Sequence, residues 1–195
     1  MELKLSTLAL MTAVAVTGCF NEPEPAYKSV PAENRVYLSD KGLKAFPEVN
    51  AKADYLNLDR NQLEKADGVE KLTELKWLRL NDNRLAALPD LKGLVNLRRI
   101  YLRNNKFAAV PETLKDLPSL TDIDLSGNPV KEVPQWLAEK KGLKNLSFSR
   151  TQVSKLPENL EAWTSLQCLQ LGDLNISAAE MARIRKALPN VAIVF

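Results

Sequence analysis

The chain has 195 residues, of which 45% are hydrophobic, and its 27 basic and 24 acidic residues give a formal net charge of +3. Such a composition is typical of one soluble domain, and the small, dispersed charge argues against a nucleic-acid-binding surface. The sequence contains no histidine and 2 cysteines, which excludes Ser-His-Asp and Cys-His catalytic groups and the usual zinc sites. We therefore expect a protein that is not an enzyme and that uses no metal or cofactor.

Residues 1–18, MELKLSTLALMTAVAVTG, predict a signal peptide. A short charged start precedes an apolar run from Leu5 to Val16. This run is too short to cross a bilayer, which needs roughly 20 residues. A run of this length followed by small residues is typical of a secretory signal that is removed from the mature protein.

The next residues, Val16-Thr17-Gly18-Cys19, resemble the lipobox of bacterial lipoproteins. In that family the cysteine is acylated, for example with palmitate, and becomes the first mature residue. By the same resemblance, Phe20 in place of aspartate implies an anchor in the outer membrane, facing either the periplasm or the surface. The alternative is an ordinary signal peptide with an incidental cysteine. We interpret residues 19–32 as the lipid-anchored cysteine and a proline-rich, extended tether.

Leucines recur in the frame L-x-x-L-x-L-x-x-N-x-L through the rest of the chain. The frame begins at residues 53, 75, 97, 120, 143 and 166, so the repeat length is 22 or 23 residues. This pattern resembles the leucine-rich repeat family, and the resemblance covers residues 33–195. It implies an α/β solenoid with a parallel β-sheet on its concave face and short helical or irregular segments on its convex face.

The residues of each repeat support this interpretation. The alternating x-L-x-L core predicts a short strand whose leucines point inward. An asparagine follows each of four strands, at Asn61, Asn83, Asn105 and Asn128, and its amide can satisfy backbone groups where the strand bends. Because Thr151 and Leu174 occupy this position in the last two repeats, we expect the asparagine ladder to weaken there.

The convex segments and the C-terminal end are also predicted. The return segments start at Pro89, Pro111, Pro134 and Pro157, and their apolar residues, including Trp163, should point inward. The sequence Ser177-Ala178-Ala179-Glu180 is a capping-box pattern that predicts a C-terminal capping helix. A final edge strand is expected within Val191–Phe195.

Aromatic residues and arginines alternate at the predicted concave positions of the first four strands. These residue types are enriched at binding hot spots because they combine a large contact area with a polar group. We expect Trp77 to be exposed to solvent. The predicted partner-binding residues are Arg35, Tyr37, Tyr55, Trp77, Arg79, Arg99, Tyr101 and Arg103.

Another interpretation of the same residues is purely structural. Arginines and aromatic side chains on adjacent strands can stabilise a sheet through cross-strand pairs. In that case Arg99 should pair with Asp122, and Tyr55 should stack on Trp77.

Other candidates are weaker. Asp122 and Asp124 lie on one face, but a glycosidase pair also needs a pocket. With Cys19 acylated, Cys168 would have no partner for a disulfide, and it would be a thiol of unspecified reactivity. We predict that Trp136 packs beside Leu137.

We expect a membrane-anchored binding module whose concave face recognises another protein. The alternative ligand is an envelope polysaccharide or acidic glycan, bound by aromatic stacking together with arginine. High salt should weaken the arginine contacts to such an anion.

Overall fold

Eight three-residue strands form one parallel sheet, in which each strand pairs with the next one along the chain. The computed structural model describes residues 34–195. The signal peptide, Cys19 and the tether therefore lie outside the described residues. The strands are β1 Arg35–Tyr37, β2 Tyr55–Asn57, β3 Trp77–Arg79, β4 Arg99–Tyr101, β5 Asp122–Asp124, β6 Asn145–Ser147, β7 Cys168–Gln170 and β8 Ala192–Val194.

The inward leucines predicted from the repeat frame form the core. The central residue of each strand from β2 to β7 is a leucine or isoleucine with no exposed surface, as at Leu78 and Ile100. The strands are aligned without offset, so that Leu78 lies opposite both Leu56 and Ile100. Each repeat therefore buries its leucines against the equivalent leucines of its neighbours. This arrangement confirms the predicted α/β solenoid.

The asparagine ladder forms at all four predicted positions. The Nδ2 group of Asn83 donates to the carbonyls of Leu58 (2.9 Å) and Leu80 (3.1 Å), and its Oδ1 accepts from the N–H of Leu63 (3.1 Å). One side chain thus satisfies backbone groups in two consecutive repeats. Equivalent bonds are made by Asn61, Asn105 and Asn128.

The ladder ends at Asn128, as the sequence predicts. Among residues 34–195, the hydroxyl of Thr151 has one hydrogen bond, accepted from the N–H of Val153 in its own turn at 3.4 Å. The two C-terminal repeats are therefore joined by strand pairing and core contacts without the asparagine bonds.

A second side-chain ladder lies two residues after the ends of the strands and was not predicted. Oδ1 of Asp59 accepts from the N–H of Asn81 at 2.8 Å, and Oδ1 of Asn81 accepts from the N–H of Arg103 at 2.9 Å. Ser149 repeats the contact by accepting from the N–H of Gly172 at 3.1 Å. These bonds fix the residues that border the concave face.

Each turn after strands β1 to β7 has a residue with a left-handed backbone at the same position. In the fifth repeat this residue is Gly127, with φ of +67°. A β-carbon at Gly127 would collide with Oδ1 of Asn104, the equivalent residue of the preceding repeat. Glycine adopts this conformation without strain and leaves space for the Asn104 side chain. The other repeats place aspartate, arginine or asparagine at this position: Asp40, Arg60, Asp82, Asn104, Arg150 and Asp173.

The convex side consists of short helical turns and irregular segments, as expected. Three are 3-10 turns, at Val69–Lys71, Glu112–Leu114 and Leu160–Ala162, and one is a short helix, α1, at Gln135–Glu139. Trp163 is buried, and its Nε1 donates to the carbonyl of Leu137 at 2.7 Å, which confirms its predicted core position.

Trp136, next to Leu137 on α1, lies partly in the convex surface. It is half-buried against the core, and its Nε1 donates to Oε1 of Glu112 at 2.9 Å. This contact joins α1 to the preceding return segment and supports the predicted packing role of Trp136.

The capping helix, α2, spans Ala178–Ala187, and β8 follows it. The hydroxyl of Ser177 accepts from the N–H of Glu180, which forms one half of the predicted capping box. The carboxylate of Glu180 has a different role, because it accepts from the N–H of Leu156 at 2.9 Å and from Arg183 at 2.8 Å. Arg183 also donates to the Leu156 carbonyl at 2.9 Å, so the pair ties α2 to the preceding repeat. None of the helices in residues 34–195 is long and apolar enough to span a bilayer.

Leu102→Ala should lower the free energy of unfolding by about 2–5 kcal/mol, because this side chain is fully buried and its truncation leaves a cavity. The control is Val95→Ala. Val95 is 49% exposed, and its truncation should cost less than about 0.5 kcal/mol. Urea unfolding of both variants measures the difference, and equal losses would contradict the inward position of Leu102.

Glu180→Gln should make the protein less stable at neutral pH and should have little effect in acid. The hydrogen bond from Arg183 lowers the pKa of Glu180 below its ordinary value. Because the pKa is lower in the folded protein than in the unfolded chain, the carboxylate stabilises the fold above its unfolded pKa. That contribution is lost as the pH falls through the folded pKa.

Urea unfolding from pH 7 to pH 3 tests this expectation. We expect a difference of about 1–3 kcal/mol between wild type and Glu180→Gln at pH 7, which shrinks toward acid pH. Glu139→Gln, at an exposed position of α1, should match wild type throughout. A difference that stays constant with pH would assign Glu180 a role independent of its charge.

Candidate functional site

Four aromatic side chains on adjacent strands form a continuous row across the first half of the concave face. The aromatic row consists of Tyr37, Tyr55, Trp77 and Tyr101, with ring centroids 5.1, 5.2 and 5.6 Å apart in that order. Trp77 packs edge-on against both Tyr55 and Tyr101. Edge-to-face packing at these distances is favourable beyond the area that it buries. The strands thus bring together all four aromatic residues predicted for partner binding.

The aromatic row is mostly buried, so the expectation that Trp77 is exposed to solvent was wrong. Tyr55, Trp77 and Tyr101 are 1, 2 and 7% exposed, whereas Tyr37 is 50% exposed. Trp77 lies between two rings, and the guanidinium of Arg99 lies 5.0 Å from its ring centroid. Sequence reasoning placed Trp77 on the correct face but did not account for how completely neighbouring strands can enclose a ring. Burial also raises the pKa of the Tyr101 hydroxyl well above its ordinary value, which keeps it protonated.

Three of the predicted binding arginines make ion pairs across the sheet. The guanidinium of Arg79 lies 2.7 Å from Oδ2 of Asp59, and Arg99 lies 3.9 Å from Oδ2 of Asp122. The third pair joins Arg103 to Asp82 at 3.3 Å.

Burial and ion pairing shift the pKa of Arg79 in opposite directions. Burial alone lowers the pKa of Arg79, but the charge of Asp59 and the hydrogen bond to it outweigh this effect and raise that pKa. The guanidinium therefore stays charged, and it is held in one orientation.

Both contacts expected from the structural interpretation are present. Arg99 pairs with Asp122, and Tyr55 packs on Trp77. The aromatic and arginine residues therefore stabilise neighbouring strands, whatever else they do. Asp59 and Asp82 complete the arrangement, and they were not among the predicted site residues. They lie two and three residues after a strand, and their arginine partners lie on or just after the following strand, which was the signal available in the sequence.

The carboxylates of the second half are also bound by structural contacts. Asp122 is buried, and it accepts from Nδ2 of Asn145 at 2.6 Å and from the hydroxyl of Thr121. Asp124 accepts from the N–H of Ser126 at 2.9 Å and from its hydroxyl at 2.5 Å, while burial raises the pKa of Asp124. Asp124 therefore holds the turn that follows β5, and Asp122 joins β5 to β6.

Clefts of about 620 Å³ lie away from the two aspartates, one beside Phe46 and the other beside Lys155. Neither cleft includes Asp122 or Asp124 in its lining. The part of the chain from residue 34 onward also contains no group of three or more histidine, cysteine, aspartate or glutamate side chains that could hold a metal ion. Neither of these clefts therefore gives Asp122 and Asp124 a pocket in which a substrate could bind.

Cys168 lies on the concave face of β7 and is disulfide-bonded. This finding corrects the expectation that Cys168 is a thiol. The sequence contains one other cysteine, Cys19, which lies outside the described residues. A cysteine sulfur that carries a lipid thioether cannot also form a disulfide, so the state of Cys19 requires a direct test.

Comparisons with known proteins agree with this architecture. Residues 73–130 match the family model for the leucine rich repeat. The fold is a leucine-rich repeat solenoid. Leucine-rich repeat proteins typically act as protein-interaction modules. A search of curated proteins found no significant match.

Two solved structures illustrate the similarity of the solenoid. An internalin, InlF, from Listeria monocytogenes is 22% identical with a TM-score of 0.61, and the match covers 74% of this chain and 43% of the internalin. A leucine-rich repeat protein from Leptospira interrogans is 27% identical with a TM-score of 0.52, covering 78% of this chain and 52% of that protein. The match thus spans about half of each of these two proteins or less, so it supports the fold rather than a whole-protein activity.

Trp77→Ala should destabilise the solenoid by about 3–5 kcal/mol, as expected for a buried tryptophan. Tyr37→Ala in the same aromatic row should cost less than about 1 kcal/mol, because half of that side chain is already exposed. Thermal or urea unfolding of the two variants tests this contrast. Similar stability of both variants would show that Trp77 does not support the fold.

Proposed function

We propose that this leucine-rich repeat solenoid is a binding module that recognises another protein through the first half of its concave face. The observation that carries the proposal is the combination of a buried aromatic row with partly exposed groups fixed above it. Tyr37 is 50% exposed, and the side chains of Arg79, Arg99 and Arg103 are 29, 22 and 44% exposed. Tyrosine and arginine are typical anchors of protein interfaces.

The exposed groups are held in place before any partner binds. Arg79 donates to Asp59 through Nε at 2.8 Å, and its guanidinium lies 5.8 Å from the Tyr101 ring centroid. Arg99 is held between Trp77 and Asp122 in the same way. Because these side chains have already lost much of their rotational freedom, a partner would bind them at a lower entropic cost.

The charges and the burial favour a protein over an acidic glycan. Each of Arg79, Arg99 and Arg103 is matched by an aspartate of this chain, so the patch offers mixed polar contacts rather than a strongly positive field. A sugar that stacks on the aromatic row would reach Tyr37 far more readily than Trp77, which is 2% exposed. A protein surface can use Tyr37 together with paired arginines, since interface rims are polar.

We also propose that the protein is anchored by lipid on Cys19 in the bacterial outer membrane, which requires that the disulfide of Cys168 join it to a cysteine of another molecule rather than to Cys19. This proposal is supported by the lipobox-like sequence Val16-Thr17-Gly18-Cys19 and by Phe20 after it. A tether of about 14 residues spans at most roughly 45 Å, which would keep the solenoid close to the membrane.

The combined variant Tyr37→Ala/Arg103→Glu tests the binding surface, because both side chains are exposed and their replacement should leave the fold intact. We expect it to lose the protein that wild type captures by crosslinking from cell envelopes. Lys131→Glu, in the exposed return segment before α1, makes the same charge change as Arg103→Glu and should capture as wild type does. Equal capture by all three proteins would contradict the proposed surface.

Cys19→Ser should abolish incorporation of labelled palmitate and should release the protein from the membrane fraction. Cys168→Ser is the matched control and should leave both properties unchanged. Mass spectrometry of unreduced peptides provides a second measurement. A peptide in which Cys19 is joined by a disulfide to Cys168 would contradict lipid attachment at Cys19.

A further inference from the structure

Asp124, the last residue of β5, is a carboxylate of the concave face that has no ion pair in residues 34–195. It is half-buried, so part of its surface is open to a partner. The charges of Arg103 and Arg150 act on Asp124 without forming an ion pair with it. Three other aspartates on or beside this face each have an arginine, in the pairs Asp59–Arg79, Asp82–Arg103 and Asp122–Arg99. Asp124 therefore offers an unpaired negative charge to a partner.

The two oxygens of the Asp124 carboxylate differ in their contacts. Oδ1 accepts both hydrogen bonds from Ser126, and in the described part of the chain Oδ2 accepts none. Burial raises the pKa of Asp124. The hydrogen bonds from Ser126 and the charges of Arg103 and Arg150 lower that pKa, but they do not reverse the effect of burial. At neutral pH this carboxylate therefore opposes folding, because the unfolded chain ionises it more easily. Groups that cost the fold stability are typical of functional surfaces.

A second polar group beside Asp124 also lacks a partner. Ser147 on β6 is paired with Asp124 in the register of the sheet. Its hydroxyl is closed to solvent and makes no hydrogen bond to the chain from residue 34 onward. An unpaired buried hydroxyl costs free energy, and native structures contain few of them. Gln170, the next residue in this row, makes no side-chain hydrogen bond within residues 34–195, so its side chain can turn to admit a bound group.

A positively charged hydrogen-bond donor would satisfy both groups at once. Oδ2 of Asp124 and the hydroxyl oxygen of Ser147 can each accept a hydrogen bond, and the two residues are neighbours in one row. A lysine ammonium has three N–H donors and an arginine guanidinium has five. A neutral donor would leave the charge of Asp124 uncompensated, whereas a charged donor also forms the stronger hydrogen bond.

We propose that the partner protein places a lysine or arginine side chain on Asp124 and Ser147, which extends the recognition surface from the first four strands onto β5 and β6. This inference rests on the proposed function, because it assigns the cation to a protein. A partner that contacts Tyr37 alone could lie in several orientations. A charged contact on β5 fixes its direction along the sheet, since charge pairs determine register and specificity more than affinity.

A library of random peptides displayed on phage tests this contact on the full-length protein. Selection on wild type should enrich peptides that contain lysine or arginine. The selected peptides should bind Asp124→Asn about tenfold more weakly, and Ser147→Ala about threefold more weakly. Asp116→Asn removes the same charge from an exposed return segment and should bind these peptides as wild type does.

Two further measurements separate a binding role of Asp124 from a purely structural one. When the lysine or arginine of a selected peptide is replaced by glutamine, that peptide should bind wild type and Asp124→Asn equally. Asp124→Asn also keeps an oxygen that can accept from Ser126 and removes the charge that opposes folding. Its urea midpoint at pH 7 should therefore equal or exceed that of wild type, whereas a purely structural role would lower it.

The proposal is overturned if Asp124→Asn or Ser147→Ala binds the selected peptides as wild type does, or if glutamine-substituted peptides still distinguish wild type from Asp124→Asn. Loss of binding by Tyr37→Ala/Arg103→Glu in the same assay would then leave the proposed function intact. Unaffected binding by that variant, or a selection that yields no peptide, would contradict both. If Asp124→Asn does not fold, Ser147→Ala and the weaker binding of glutamine-substituted peptides to wild type decide.

Discussion

The stacking of inward leucines between adjacent repeats is the contact on which the rest of this structure depends. A three-residue strand has too little apolar surface to be stable alone, and each repeat becomes stable only when its neighbours cover it. The asparagine ladder works with this contact, because the strands can stack at a constant spacing only if the backbone groups of every turn find partners. Asn83, which bonds to both Leu58 and Leu80, shows how one amide serves two repeats.

This regular stacking also determines what the concave face can present. Since all strands are aligned without offset, side chains at equivalent positions form rows along the sheet. A ring in such a row is enclosed by rings before and after it, as Trp77 is by Tyr55 and Tyr101. A residue at the end of the row, such as Tyr37, keeps one side open and is the more suitable contact for a partner.

The repeat frame was sufficient to predict most of the fold. It located the strands from Arg35–Tyr37 to Cys168–Gln170, the four ladder asparagines and the end of the ladder, because period and residue type are local properties of the sequence. The frame did not predict the burial of Trp77. Burial depends on how closely neighbouring side chains approach, and the repeat pattern carries no information about that distance.

The sequence predicted which residues form the candidate site, but not which contacts they make. The pairing of Arg99 with Asp122 followed from adjacent strand positions, whereas Arg79 pairs with Asp59, which lies beyond its strand. The second role of Glu180, bonded to Leu156 in the preceding repeat, likewise depends on packing between segments far apart in sequence.

The end of the asparagine ladder at Asn128 gives the solenoid a direction. In a linear array the cost of opening a repeat depends on the contacts with its immediate neighbours, and the interfaces after Asn128 lack the asparagine bonds. Among the repeats from β2 to β7, thermal fluctuations should therefore open those after Asn128 more readily than those that the asparagine ladder joins. A protease should then cut this molecule more readily in the repeats that follow Asn128.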